Sequence, residues 1–155
     1  DSEGQRILKS YIGKPKIVPG KTGAYYRPSE DIIGMPHRAL FDSLAHYWAT
    51  LFHELVHSTG SKNRLDRNLL EGGRDGYSYE ELVAEMGAAF LCAETGISNE
   101  DLEQNTVAYI QSWIRVLKSN PEWLVKAGGQ ATKAVDYILR HEVSKEVEWK
   151  NLCLG

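Results

Sequence analysis

The spacing of apolar residues along the chain changes from helical to strand-like and back again. In SEGQRILKSYIG (residues 2–13), apolar side chains recur at intervals of three and four, which predicts a short helix that ends at Gly13. Residues 15–36 carry three short β-rich pieces, KIV, GAYYR and DIIGM, separated by proline and glycine. Such pieces are typical of small antiparallel strands, and we predict that the second and third form a hairpin.

The helical period returns at Ser43, which is a suitable N-cap. One apolar stripe follows at helical spacing and consists of Leu44, Trp48, Leu51 and Leu55. We predict that this helix ends at Gly60 in a left-handed conformation. The polar, glycine-rich residues 61–77 then predict a loop that is longer than most connections in compact domains.

Three more helices are predicted in the second half of the chain. The first begins at Ser78, which forms a capping-box pattern with Glu81, and it ends at Gly96. The other two cover residues 98–119 and 121–141. The whole chain therefore reads as a small sheet followed mainly by helices, which is the α+β class.

Composition limits the functional classes. Charged residues make up 25% and apolar residues 42% of the 155 residues, as in ordinary globular domains, so a disordered or fibrous protein is excluded. The net charge is 18 minus 21, or −3, and the basic residues are scattered, so no basic stripe marks a nucleic-acid surface. No apolar run approaches the roughly 18 residues that span a bilayer, and we expect no membrane partner.

Cysteine usage favours a reducing compartment. Cys92 and Cys153 are far apart and match neither a disulfide framework nor a cysteine-rich zinc motif. We expect Cys92 to be a small core residue and the protein to occupy a reducing compartment such as the cytoplasm.

The stretch LFHELVHSTG (residues 51–60) carries the pattern His-Glu-x-x-His. Residues four apart on a helix are rotated by about 40° and separated by about 6 Å, so His53 and His57 project side by side and can converge on one metal ion. Glu54 lies about 100° round the helix, where it can reach a water held by the ion and act as general base. The alternative is an ordinary core helix with two half-buried histidines.

A catalytic zinc site needs a third protein ligand, and the candidates are Glu80, Glu81 and Glu85. Glu81 is favoured because Ala84 and Ala88 leave its surroundings small enough for a close helix approach. Glu85, one turn on, then suits a hydrogen bond to the outer nitrogen of a ligating histidine. Alternatively, Glu81 serves only the capping box, and Glu85 becomes the ligand.

Several segments together resemble one known family. They are AYYRPSEDIIGMP, YWATLFHELVHSTG, RLDR and EELVAEMGAAFLCAETGI, and they resemble the zincin-like metallopeptidase domain of ArdC-type antirestriction proteins, also found in polyvalent proteins of plasmids and phages. The similarity runs from about Gly23 to Ile97 and more loosely to His141. It implies a zincin-like fold in one domain, residues 1–155, with a small antiparallel sheet packed on the metal-binding helix.

The resemblance also implies a site and a domain context. His53 and His57 would bind one zinc ion, Glu54 would be the base, and an acidic residue of the next helix would complete the shell. Related zincins carry Glu-x-x-Ala followed by an acidic or amide residue, and ELVAEMGA from Glu81 to Ala88 repeats that order. Full-length family proteins carry an N-terminal single-stranded-DNA-binding domain, so we expect this chain, which starts without methionine, to be a fragment that meets DNA only through that absent domain.

The expected reaction is hydrolysis of a peptide bond in a protein or peptide substrate, in an antirestriction or mobile-element context. The resemblance also implies that the protein is cytoplasmic in a bacterium, or delivered into a recipient bacterial cell. The tetrahedral oxyanion needs a further hydrogen-bond donor, and we select Tyr77 or Tyr79 in the loop just before the helix that carries Glu81. Ordinary packing also explains tyrosines at these positions. The segment DIIGMP resembles the edge strand that holds substrate in zincins. It would bind substrate through Ile32, Ile33, Gly34 and Met35, or these residues would simply roof the core.

Two other functions remain open from the sequence. One is a non-proteolytic, zinc-stabilised module that blocks a restriction enzyme or another protein partner. The other is a helical interaction domain without metal, which the aromatic residues of the last helices would serve. Those residues are Tyr109, Trp113, Trp123 and Tyr137, and we expect them to be core residues.

Overall fold

The computed structural model describes residues 2–67, 69, 73–97 and 113–139, and within them only the backbone of residues 73–78. Its elements, in chain order, are α1 (Ser2–Ser10), β1 (Lys16–Val18), β2 (Tyr25–Arg27), β3 (Ile32–Gly34), a 3-10 turn (Arg38–Leu40), α2 (Leu44–Thr59), α3 (Gly73–Thr95) and α4 (Glu122–Leu139). Residues 113–119 are also helical. The α+β class is confirmed, and none of the described helices is long and apolar enough to cross a membrane.

The three strands form one mixed sheet in the order β1-β3-β2. The predicted hairpin is confirmed, because β2 pairs antiparallel with β3 and Tyr26 lies opposite Ile33. The prediction of an antiparallel sheet is wrong for β1, which runs parallel to β3 with Ile17 opposite Ile33. After β1 the chain reverses, and β2 runs antiparallel to β1 without pairing with it. Strand β3 then pairs between the two, antiparallel to β2 and therefore parallel to β1.

The reversal between β1 and β2 passes through Gly20, which has a φ of +78°. A side chain here would be strained by that backbone and would also meet the His37 ring, 2.9 Å from an added Cβ. Strand β3 is central in this sheet, and Ile33 within it and Met35 just after it are fully buried. The expectation that DIIGMP is an edge strand is therefore wrong, and β2 lies at the sheet edge.

Helix α2 starts as predicted and ends differently. Ser43 is the N-cap, and its Oγ accepts a hydrogen bond from the His46 amide at 3.0 Å. Gly60 has a right-handed φ of −77°, so the predicted left-handed stop is wrong. The space beside Gly60, and not its backbone conformation, favours a small residue, because an added Cβ would lie 2.5 Å from Cδ2 of Leu69.

Helix α3 begins at Gly73, five residues earlier than predicted. A capping-box serine must lie outside the helix in extended backbone, whereas Ser78 has helical backbone, so the capping-box interpretation of Glu81 is wrong. The end at Gly96 is confirmed, and its φ of +65° is the left-handed conformation expected of a glycine stop.

The core lies where α2, α3 and α4 pack against one another. The close approach of α2 and α3 depends on the small face predicted for α3: Ala84 and Ala88 are buried, and an added Cβ at Gly87 would lie 2.7 Å from Cγ2 of Val56. Cys92 is buried in this core as expected. Trp113, Trp123 and Tyr137 pack partly buried against it, whereas Tyr109 and Cys153 lie outside the described residues.

Candidate metal site

Helix α2 presents His53 and His57 on the flank that faces away from its buried apolar stripe. Their Nε2 atoms lie 3.0 Å apart and their ring centroids 4.6 Å apart. Both rings are mostly buried. Two histidines of an ordinary core helix would direct their polar atoms to separate partners, whereas these two direct the same nitrogen to one point.

Helix α3 brings Glu81 to that point. Its Oε2 lies 3.4 Å from Nε2 of His53, and its Oε1 lies 3.3 Å from Nε2 of His57. Donor atoms that share a tetrahedral ion about 2.0–2.1 Å away are themselves about 3.3–3.4 Å apart. Two imidazole nitrogens and one carboxylate at these separations therefore fit a divalent metal ion.

Each histidine also has a carboxylate partner on its outer nitrogen. Nδ1 of His53 lies 3.1 Å from Oε1 of Glu85, the orienting partner expected from the sequence. Nδ1 of His57 lies 3.3 Å from Oε1 of Glu80. That orienting role of Glu80 was missed, although the general need of a ligating histidine for a partner on its second nitrogen was a usable signal.

The electrostatics of the cluster favour a cation. Burial opposes charge on His53, but its contacts with Glu81 and Glu85 outweigh burial and raise the pKa of His53 to about 10. Burial likewise opposes the charge on Glu81, yet the two histidines hold the pKa of Glu81 well below its usual range. The carboxylates around the two histidines thus stabilise positive charge at this point.

Glu54 lies beside the three-residue cluster and lines the same cavity. Its side chain is buried, with the residue 7% exposed, and burial raises the pKa of its carboxyl, while the positive charges of the two histidines oppose that rise. A carboxyl group with a raised pKa accepts a proton more readily near neutral pH. The position and the basicity both fit the general base predicted from the sequence.

The cavity has a volume of about 420 Å³ and connects the cluster to the sheet edge. Its lining residues are Ala24, Tyr25, Tyr26, Pro28, His53, Glu54, His57, Leu69, Glu80 and Glu81. The predicted substrate-binding residues of DIIGMP are not among them. Ile33 and Met35 point into the core, and Gly34 lies under the Tyr25 ring, 2.5 Å from an added Cβ. Strand β2 and its flanks, which sequence reasoning did not select, form this wall of the site.

Tyr77 and Tyr79, the proposed oxyanion donors, were expected in a loop, but the structure places them in a helix. Both lie within α3, which begins before them. The Tyr79 ring packs edge-on against Trp123 at 5.4 Å and does not line the cavity, so the alternative of ordinary packing accounts for it. The Tyr77 side chain lies outside the described part of the chain, and its role stays a prediction.

The family model described as zincin-like metallopeptidase matches residues 9–130. The chain therefore belongs to the zincin-like metallopeptidase family, as its sequence motifs indicated. The buried histidine pair, the acidic partner from the next helix and the small sheet are the parts of this fold that form the site.

Relatives and solved structures agree with this membership. A DNA primase TraC of Escherichia coli is 41% identical over 126 residues, covering 81% of this chain and 8% of the relative. The uncharacterized protein y4eC of Sinorhizobium fredii (strain NBRC 101917 / NGR234) is 38% identical over 125 residues, covering 79% of this chain and 40% of the relative.

Two crystal structures of the antirestriction ArdC protein from plasmid R388 are also similar. The Mn(II)-bound structure has a TM-score of 0.73 at 40% identity and covers 90% of this chain and 52% of that one. The metal-free structure has a TM-score of 0.70 at 41% identity and covers 89% and 49%. The chain thus spans about half the length of ArdC and less of the curated relatives.

Proposed function

We propose that this domain is a zinc-dependent peptidase. The observation that carries the proposal is the convergence of His53, His57 and Glu81 on one point, with Glu54 in the same cavity. Two imidazoles and one carboxylate are the protein ligands of a common class of catalytic zinc sites, which leave a further position open. Mn(II) is bound in the ArdC structure, so the choice of zinc over manganese rests on the nitrogen-rich donor set.

When bound, the ion supplies Lewis acidity that lowers the pKa of a water molecule and polarises a carbonyl group. Glu54 accepts the proton of the attacking water and returns it to the leaving nitrogen. Glu80 and Glu85 keep the histidine rings oriented, because each carboxylate accepts from one Nδ1. Burial raises the pKa of Glu54 above its ordinary value, which favours proton acceptance, and it keeps the carboxyl group away from bulk water.

The substrate is proposed to be an extended protein or peptide segment. Strand β2 is the edge of the described sheet on the cavity side, and its residues Tyr25 and Tyr26 line the cavity next to Glu54. An extended chain can add to such an edge through main-chain hydrogen bonds. This assignment replaces the β3 residues with β2 as the strand that holds substrate.

The relatives support a biological setting for this proposal. ArdC is described as an antirestriction protein, and we propose that this chain acts in the same context, in the bacterial cytoplasm, as part of a mobile element. Contact with single-stranded DNA would need residues outside this domain.

The test is a pair of variants in one chain. Glu54→Gln keeps the three ligands and removes the base, so it should bind zinc with wild-type stoichiometry, about one ion per chain, and lose cleavage of casein or of a peptide library by 10²-fold or more. His53→Ala should lose both zinc and cleavage. Full cleavage by Glu54→Gln would refute catalysis by this residue. Retained antirestriction effect without cleavage would instead support the non-proteolytic module.

A further inference from the structure

Arg67 lies in the segment RLDR, and its guanidinium joins α2 to α3 next to the proposed metal ligands. It donates from Nε to Oε2 of Glu80 at 3.0 Å and from Nη2 to Oε1 of Glu80 at 2.8 Å. The same guanidinium donates from Nη2 to the Val56 carbonyl at 2.8 Å and from Nη1 to Oγ1 of Thr59 at 2.7 Å. Its side chain is 7% exposed.

These contacts fix the position of the Glu80 carboxylate, which faces Nδ1 of His57. Glu80 is held by a two-point contact, which sets the plane of its carboxylate as well as its position. The anchors at Val56 and Thr59 lie on either side of His57 in the chain, so the guanidinium holds Glu80 in register with the last turn of α2.

The geometry decides which ring nitrogen of His57 carries hydrogen. An ionised carboxylate only accepts hydrogen bonds, so Nδ1 facing Oε1 of Glu80 must be the donor. With the hydrogen on Nδ1, the lone pair of Nε2 points to His53 and Glu81. Glu80 performs this task with a 10% exposed side chain, whereas the partner of His53, Glu85, is 38% exposed.

We propose that Arg67 is a positioning residue of the metal site, acting through Glu80 to hold His57 in the tautomer and orientation that bind the ion. The proposal rests on the proposed metal at His53, His57 and Glu81. Arg67 itself touches neither that point nor the substrate strand, so its effect should appear in metal affinity before any measurement of catalysis.

The other arginine of RLDR provides a matched control. Arg64 is equally buried, with a 7% exposed side chain, and donates to both carboxylate oxygens of Asp31, each at 2.8 Å. It also donates to the carbonyls of Gly13 and Ser58. These contacts join the turn after α1, the hairpin and the end of α2 without reaching His57 or its carboxylate. A purely structural arginine should therefore behave like Arg64.

The experiment measures metal affinity and stability separately in Arg67→Lys and Arg64→Lys. Affinity for zinc is obtained by competition with a chromophoric chelator, and stability of the metal-free protein by urea unfolding. We expect both variants to unfold at a lower urea concentration, because the single ammonium group of lysine cannot make the several hydrogen bonds that the planar guanidinium group makes. Only Arg67→Lys should bind zinc more weakly, by about 10- to 100-fold, with a changed Co²⁺ absorption spectrum.

A double-mutant cycle tests whether Arg67 acts through Glu80. Glu80→Gln should weaken zinc binding by itself, and the double variant should be no weaker than the weaker of the two single variants. If Arg67→Lys does not fold, Thr59→Val takes its place, because it removes one anchor of Arg67 and conserves shape. In Thr59→Val we expect the zinc affinity to fall on the order of threefold, the effect of one lost hydrogen bond.

Unchanged zinc affinity in Arg67→Lys, or in Thr59→Val if that variant is used instead, would overturn the proposal. Equal losses of zinc affinity in Arg64→Lys and Arg67→Lys would also overturn it. Additive losses in the double variant would show that Arg67 does not act through Glu80. A wild-type chain that binds no zinc would instead refute the proposed function, so the two failures are distinguishable.

Discussion

Replacement of Gly87 by alanine should separate the metal ligands by pushing α3 away from α2. The added Cβ would lie 2.7 Å from Cγ2 and 2.8 Å from Cγ1 of Val56, whereas carbon atoms in contact are about 3.5–4.0 Å apart. The two helices must therefore separate by roughly 1 Å at this point. Glu81 is carried by the same helix, only 3.3–3.4 Å from the ring nitrogens, so its carboxylate moves with α3.

Two energies decide the stability of Gly87→Ala. Overpacking of a core contact costs about 1–3 kcal/mol, while alanine in a helix interior is about 1 kcal/mol better than glycine. We expect a net loss of roughly 0–2 kcal/mol in urea unfolding of the metal-free protein. The metal affinity should fall by about tenfold or more, because metal-ligand distances tolerate only about 0.2 Å.

Calorimetric zinc titration and urea unfolding measure both quantities. Gly129→Ala is the control, since an added Cβ there has nothing within 4 Å, and it should gain about 1 kcal/mol without a change in zinc affinity. Val56→Ala combined with Gly87→Ala removes the clashing methyl groups and should restore much of the affinity. A Gly87→Ala protein that is stabilised like Gly129→Ala and binds zinc normally would refute the reasoning.

Three further predictions concern stability. Hydrogen bonds from Arg64 lower the pKa of Asp31, so this pair stabilises the fold above the unfolded pKa of about 3.9 and ceases to do so as pH falls through the folded value. Asp31→Asn should cost about 1 kcal/mol at pH 7, less as the pH falls below 4, and a pH-independent urea midpoint difference would contradict this. Gly4→Ala should lose about 1–3 kcal/mol, because the added Cβ would overlap the Trp48 ring; an unchanged midpoint would mean that α1 does not depend on this contact. Zinc at 1,000 times its dissociation constant should stabilise the wild type by about 4.1 kcal/mol and leave His53→Ala unaffected, and EDTA should reverse the gain; equal gains in both would place the ion elsewhere.

The sequence was sufficient for residues whose roles follow from local spacing. The four-residue interval of His53 and His57 places both rings on one helical face in any α-helix, and Glu54 follows from the same geometry. Helix start and stop signals at Ser43 and Gly96 were also correct, because caps depend on the backbone of a few neighbouring residues.

The predictions that failed concern features that depend on contacts between distant segments. A capping box at Ser78 is a sound local pattern, yet the helix starts earlier, and the strand order cannot be read from the three short strand sequences. With β3 in the centre, the edge of the described sheet on the cavity side is β2 and not β3, because an edge is defined by its neighbours and not by its own residues.

The amino-acid sequence by itself thus determined the family, and the helix that carries the histidine pair together with Glu54. The sequence favoured Glu81 over Glu80 and Glu85 without excluding either. Only the tertiary structure decided which carboxylate faces which nitrogen, because those contacts form when α3 packs on α2 at a fixed rotation. The same packing gave Arg67 its partners and made Gly87 necessary. Local periodicity fixes the direction of a side chain relative to its own helix, whereas the site depends on the direction of one helix relative to another.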